Sequence, residues 1–212
     1  MFSRKAPAER SGYTIGSRSW KTTPTWDFNY EAIVQWGSFQ GRSIHAWALS
    51  EDTGHSFAQN RFQPRVGFRS DVASGDGGPN EKKLGSFDPL FPAAPVYSGP
   101  SGLLGPTNLI DISPSVRLQL RKSLSLTVES SSFWRESLGD AIYSPFVTPV
   151  RRGIASQARY VATAPSATIS LQANRHIFYS LIYTRFLTGR FLEEALPNRD
   201  VNYVATWVSY RF

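Results

Sequence analysis

Nine arginines in this chain fall on one parity of alternating segments: Arg18, Arg61, Arg65, Arg69, Arg117, Arg135, Arg159, Arg185 and Arg211. Five acids share that parity: Asp27, Glu31, Asp71, Asp111 and Glu129. A guanidinium is a rigid fork that matches a carboxylate or phosphate and keeps its charge where water is scarce. Arg61, Arg65 and Arg69 are spaced by four, which on one strand face puts neighbours about 13 Å apart at about 3.3 Å per residue. A row of this kind hands an anion from one fork to the next. The acids would moderate its field, because conduction needs sites weak enough to leave. A single Arg–Asp pair more often only neutralises itself; the set of nine against five favours a field that guides anions.

No other chemistry is offered. His45, His55 and His176 lack metal-ligand spacing, and no Ser/His/Asp set converges, so neither a metal site, a cofactor nor a catalytic residue is expected and the chain reads as no enzyme. GDGGP (75–79) reads as a glycine turn in preference to a phosphate or cation loop. The absence of Cys excludes disulfides and thiolate chemistry. A sequence pI near 9.9 and a net charge of +7 call for an anionic partner. Nucleic acid is not that partner, because the basic residues lie on strand faces and form no patch or tail interleaved with aromatics.

The elements that must position these arginines are strands. Period-2 alternation recurs at 11–19, 25–36, 41–50, 61–72, 108–119, 124–136, 153–162, 166–175, 178–188 and 202–212. Most are longer than an ordinary globular strand and match a tilted membrane-spanning one. In 25–36 the apolar parity is Trp26, Phe28, Tyr30, Ala32, Val34 and Trp36; in 61–72 it is Phe62, Pro64, Val66, Phe68 and Val72. Ile182, Thr184 and Phe186 are read as the apolar parity of 178–188, against Tyr183 and Arg185. Only 41–50 is ambiguous, with Ile44, Ala46 and Ala48 competing against His45, Trp47 and Leu49.

An uncharged face opposite an arginine-bearing face, with rings at strand ends, fits a transmembrane antiparallel β-barrel better than a soluble sandwich. The partner of the uncharged face is then outer-membrane lipid. No apolar run is long enough for a transmembrane helix. In lipid every backbone donor and acceptor must be paired, so strands span only within a closed wall. That explains why the chain ends on the alternating stretch YVATWVSYRF, whose Phe212 resembles the C-terminal signature read by the outer-membrane assembly machinery.

Beyond architecture, SDVASGDGGPNEKKLGSFDPLFP (70–92), GLLGPTNLIDISPSVRL (102–118), FWRESLGDAIY (133–143) and RRGIASQARYV (151–161) resemble the alginate export family of bacterial outer-membrane proteins. The resemblance runs over most of 61–212, with 1–60 agreeing in pattern. It implies a barrel of about 18 strands in the bacterial outer membrane, whose arginine-lined lumen passes an anionic polysaccharide or other acidic solute. With about ten strands and no apolar signal stretch in MFSRKAPAER, residues 1–212 are expected to be the C-terminal portion of one such barrel domain. A truncated fragment with a structural role and no transport of its own is the alternative. The Gly/Pro-rich stretch 73–107 is expected to be a long loop acting as plug or gate. Strand counting back from a periplasmic C-terminus places it and 138–152 on the periplasmic side, against the rule that long loops are extracellular.

Overall fold

The computed structural model of the chain describes residues 10–78, 82–90, 99–195 and 198–212. Its long strands are β1 (Arg10–Thr22), β2 (Trp26–Phe39), β3 (Arg42–Ser56) and β4 (Arg65–Ala73), followed after the two-residue β5 (Lys83–Leu84) by β6 (Leu109–Arg121) and β7 (Leu124–Trp134). A two-stranded excursion, β8 (Ile142–Tyr143) and β9 (Pro149–Arg151), leads to β10 (Tyr160–Gln172), β11 (Ile177–Thr188), a short helix α1 (Arg190–Glu194) and β12 (Val201–Tyr210). One sheet holds ten of these strands: nine antiparallel neighbours in the order β1-β2-β3-β4-β6-β7-β10-β11-β12, and β5 paired parallel to β3. Sequential hairpins of this kind are the connectivity of an up-and-down barrel wall.

Two sequence-read segments, 153–162 and 166–175, correct to the single strand β10, with 153–155 a 3₁₀ turn ahead of it. The reason is Pro165, which reads as a breaker but is accommodated inside the strand. The ladder from β10 to β11 passes from Thr163 to Ser166 and skips Ala164 and Pro165, where the missing N–H would stand. This change of count resolves the loop problem. One end of the sheet now carries the turns 23–25, 57–64, 122–123 and 173–176 together with Phe212. The other carries the turn 40–41 and the long connections 74–108, 135–159 and 189–200. All the long connections therefore share one end and the short turns the other, the division of loop lengths expected of an outer-membrane barrel wall.

Register divides the sheet into two faces. Tyr13 opposes Trp36 and Ile15 opposes Val34; Val34 opposes Trp47; Val66 opposes Val116; Val116 opposes Val128; Leu181 opposes Thr206. These residues form the outward face, on which rings and aliphatics stand exposed. That settles the ambiguous strand: His45, Trp47 and Leu49 face outward, while Ile44 and Ala46 are buried on the inner side. Aromatic contacts gather near both ends: Tyr13 stacks on Trp36 and Trp134 meets Tyr160 at one, while Trp26, His55 and Phe57 cluster at the other. Trp26 and Trp36 stand about 34 Å apart along β2 at about 3.4 Å per residue, or about 26 Å in height at a tilt near 40°, which matches the apolar band of an outer-membrane barrel.

The inner face is covered toward the end that carries the long connections. Leu104, Leu109, Phe133, Ile142, Val161, Ala162, Ala164, Phe186, Phe191 and Leu192 form a core against β7, β10 and β11, and Phe87 packs on Ala46 and Ala73. Gln35 clasps the second patch, donating to the Asp88 carbonyl (2.8 Å) and accepting from the Asp88 N–H (3.0 Å). The described parts of the 73–107 loop therefore lie on the lumen side of the wall; 79–81, 91–98 and the first nine residues fall outside the described residues. Neither β1 nor β12 has a strand on its far side among the described residues. An odd number of alternating strands also makes β1 and β12 run in the same direction.

Candidate functional site: the inner face and its short-turn rim

Arg65 and Arg69 point inward from β4, two positions apart on one parity, and each is held by acids from neighbouring strands. Arg65 donates from Nε to Asp27 (2.9 Å) on β2 and from a terminal nitrogen to Asp52 (3.1 Å) on β3. Its guanidinium reaches Asp27 by lying flat across Gly54 and Gly67. A Cβ at Gly54 would stand 2.1 Å from its Cζ and one at Gly67 2.4 Å from a terminal nitrogen. Glycine inside a strand marks such a close approach. Arg69 sits among three carboxylates, at 3.3 Å from Asp71, 3.3 Å from Asp111 and 3.7 Å from Glu129, with Ser113 at 3.2 Å. Asp111 is fully buried and also accepts from Ser113 Oγ (2.7 Å). These two arginines face five carboxylates and form two acid-rich knots of wall structure. Glu31, the fifth acid expected on this face, stands opposite Arg18 in the β1–β2 register.

The structure moves the remaining sequence-predicted arginines apart. Arg61 leaves the expected three-rung row: it lies in the turn 57–64, with its guanidinium over the Phe62 ring at 5.0 Å. Arg117 stays on the inner face, opposite Arg65 and Thr127, and is exposed with no ion pair among the described residues. Arg211 lies just past β12 at the same end as Arg61.

Arg135, Arg159 and Arg185 are corrected outright. Arg135 is 0% exposed, and its five N–H groups donate to four carbonyls: Leu138 (3.0 Å), Gly153 (3.0 Å), Ser156 (2.8 Å) and Ala158 (3.0 and 2.6 Å). It also lies over the Phe191 ring at 4.1 Å. Burial, then the neighbouring Arg159 charge, presses its pKa below the usual guanidinium value. It is the hub of the 135–159 connection and faces no pore. Arg159 precedes β10 and donates to the Arg135 and Glu136 carbonyls (3.1 and 2.6 Å). Arg185 stands on the outward face with Tyr183 and Leu181, 3.9 Å from Asp200. The parity of 178–188 is inverted because Ile182 and Phe186 are apolar for the inner core and not for lipid.

Several residues carry the site without having been legible beforehand. Asp52 lies beyond the expected end of its strand at 50. Asp140 accepts from Asp76 N–H (2.8 Å), Ser86 Oγ (2.6 Å), Ala141 N–H (2.7 Å) and the Tyr143 hydroxyl (2.6 Å), tying the two long connections into one body. Burial, reinforced by that carboxylate, pushes the Tyr143 phenol well above its usual range. The signal for these contacts was only the polar, Gly-rich composition of the connections.

Cations without an ion pair among the described residues stand at both ends of the sheet: Lys82, Lys83, Arg151, Arg152 and Arg199 in the long connections, and a second group at the short-turn end. Arg61, Lys122, Arg175 and Arg211 occupy the turns and the C-terminus there, with Arg117 and Arg121 in the last turn-side residues of β6; turns 23–25, 57–64, 122–123 and 173–176 contain no acid. The arrangement is a cationic rim below a wall whose paired arginines are outnumbered by their carboxylates.

A family model described as alginate export matches residues 4–205, extending the likeness to the part of the chain that agreed only in pattern. No curated protein matches. Among solved structures, the NanC porin is similar with a TM-score of 0.49 and 10% identity, over 95% of this chain and 79% of that one.

Proposed function

The chain belongs to the alginate export family, and on that premise we propose that its cationic rim draws an anionic polysaccharide or other acidic solute into an outer-membrane channel. Channel wall, outer-membrane setting and transport of a polysaccharide or solute follow from the family and the β-wall; the preference for anions is the proposal. The observation that carries it is which arginines of the inner face and its rim are paired with acids and which are not. Arg65 and Arg69 are spent on Asp27, Asp52, Asp71, Asp111 and Glu129, whereas Arg61, Arg117 and Arg211 face no carboxylate among the described residues. An anion entering from the periplasm meets these first. The described parts of the 73–107 loop, folded against the inner face, form a constriction above the rim.

The test is reversal-potential recording across the channel in a planar bilayer at low salt, with Arg61, Arg117 and Arg211 each replaced by Gln and then all three together. Three charges about 10 Å away favour a permeating anion and disfavour a permeating cation by about 1.2 kcal/mol each in water, a difference of about 2.4 kcal/mol, so the anion-to-cation permeability ratio should fall by up to about sixtyfold in the triple variant. An unchanged ratio sinks the anion-guiding reading.

A second reading, that this stretch is structural wall without transport of its own, is favoured by the two unpaired edges. Because β1 and β12 run the same way, an upright second copy would meet them in parallel. Antiparallel closure therefore requires an odd number of further strands, and nine would reach the family's eighteen. Ion conductance by residues 1–212 alone would overturn this second reading.

A further inference from the structure

Most exposed rings of this protein face outward, but two indoles do not. Trp20 opposes Asn29 in the β1–β2 register, and Trp207 opposes Ser180 in the β11–β12 register; both positions carry inner-face parity. Trp20 is 67% exposed and Trp207 45% exposed. Each lies within three residues of the short-turn end of its strand, so both stand at the inner edge of the cationic rim. Neither packs into a core cluster. An indole kept on the watery side of a barrel wall, away from both lipid and core, offers a flat apolar face to solute.

Trp20 has an arginine on its own face. The Arg18 guanidinium lies 5.4 Å from the Trp20 ring centroid and donates from Nε to Asn29 Oδ1 (2.6 Å), which orients it beside the ring. Arg211 follows Trp207 by four residues, on the same parity. Neither arginine has a carboxylate within ion-pair distance among the described residues, unlike Arg65 and Arg69.

We propose that Arg18–Trp20–Asn29 is a capture subsite for a single hexuronate unit of an acidic polysaccharide at the periplasmic mouth of the channel, with Trp207 a second stacking ring for another unit of the same chain. The proposal rests on the anion-channel reading and deepens it. A hexuronate presents two features on one ring: a carboxylate and a face of axial C–H bonds. The guanidinium takes the first by charge-assisted hydrogen bonds, the indole stacks on the second, and the Asn29 amide is placed to meet a ring hydroxyl. An inorganic anion satisfies only the arginine, and a neutral sugar only the indole, so the pairing discriminates in favour of the acidic sugar. Stacking is weak enough for release, as passage through a mouth requires.

The experiment is a titration of the detergent-solubilised protein with an oligouronate and with the same oligomer methyl-esterified to neutrality, followed by tryptophan fluorescence and calorimetry. Trp20→Ala and Trp207→Ala should each weaken the oligouronate about tenfold and lower the residual affinity for the neutral oligomer. Trp20→Phe and Trp207→Phe should restore most of it. Arg18→Gln should weaken the oligouronate while leaving the neutral oligomer unchanged, and Trp47→Ala on the outward face should change neither. Heat-modifiable gel migration checks that each variant is folded, and the Phe pair carries the test if an Ala variant is not. Alanine variants that bind both oligomers like the parent, while Arg18→Gln loses the oligouronate, overturn the stacking subsites and leave the anion channel standing. A folded parent protein that binds neither oligomer overturns the subsites, and if the reversal potentials also ignore Arg61, Arg117 and Arg211 the channel reading falls separately.

Discussion

Arg135 gives the most exacting prediction, because every donor of a buried charge is spent on backbone. Five N–H groups reach the carbonyls of Leu138, Gly153, Ser156 and Ala158, all in the 135–159 connection. Arg135→Met keeps much of the stem volume over Phe191 but leaves those four carbonyls without their donor. Each buried, orphaned carbonyl costs about 1–3 kcal/mol, and relaxation that lets half of them find water still leaves a loss of about 3 kcal/mol. That corresponds to roughly a 150-fold rise in the open population of the connection, with the strands intact. Arg135→Lys, with three donors and no planar fork, should fall between the two. The assay is hydrogen exchange of the 135–159 amides, with the β7 and β10 amides as the internal reference. If protection in 135–159 is unchanged in Arg135→Met, the hub account is wrong; if β7 and β10 exchange faster by the same factor, the connection is no separate cooperative unit.

Gly54→Ala should evict the Arg65 guanidinium from Asp27, since the new Cβ would stand 2.1 Å from Cζ; detergent thermal melts should fall, and Gly54→Ala with Arg65→Ala should recover part of the loss. Arg185→Ala should leave permeability ratios untouched, because the side chain faces outward beside Asp200, and a change in selectivity would contradict that placement. Glu194 is held below the usual carboxylate range first by the Ser156 hydroxyl and then by Arg190. A depressed folded pKa contributes stability that is complete above the unfolded value of about 4.3 and is lost as pH falls through the folded one. Proteolysis within 189–200 should therefore accelerate only in that acid window, and Ser156→Ala should narrow the window.

What the sequence determined by itself was the division between two solvents. Where one face of a strand meets lipid and the other meets water, hydrophobicity alternates cleanly, and β2, β4, β6, β7 and β12 were legible for that reason. The alternation loses its meaning where the inner face is itself covered by protein. Ile44 and Ala46 lie under the 74–90 segment and Ile182 and Phe186 under the loop core, so apolar parity there signals core and lipid alike. That inverted β11 and moved Arg185 outward. Pro165 divided β10 in the sequence because a missing N–H reads as a break unless the ladder that skips it is known. Charge type and abundance were visible in the chain, but charge pairing was not. Asp27 reaches Arg65 across β3, and Asp111 and Glu129 reach Arg69 from the strands beyond β4; such partners are fixed by strand register and by the bare backbone of Gly54 and Gly67. Only the tertiary structure could separate arginines held by carboxylates in the wall from those without an ion pair at its rim.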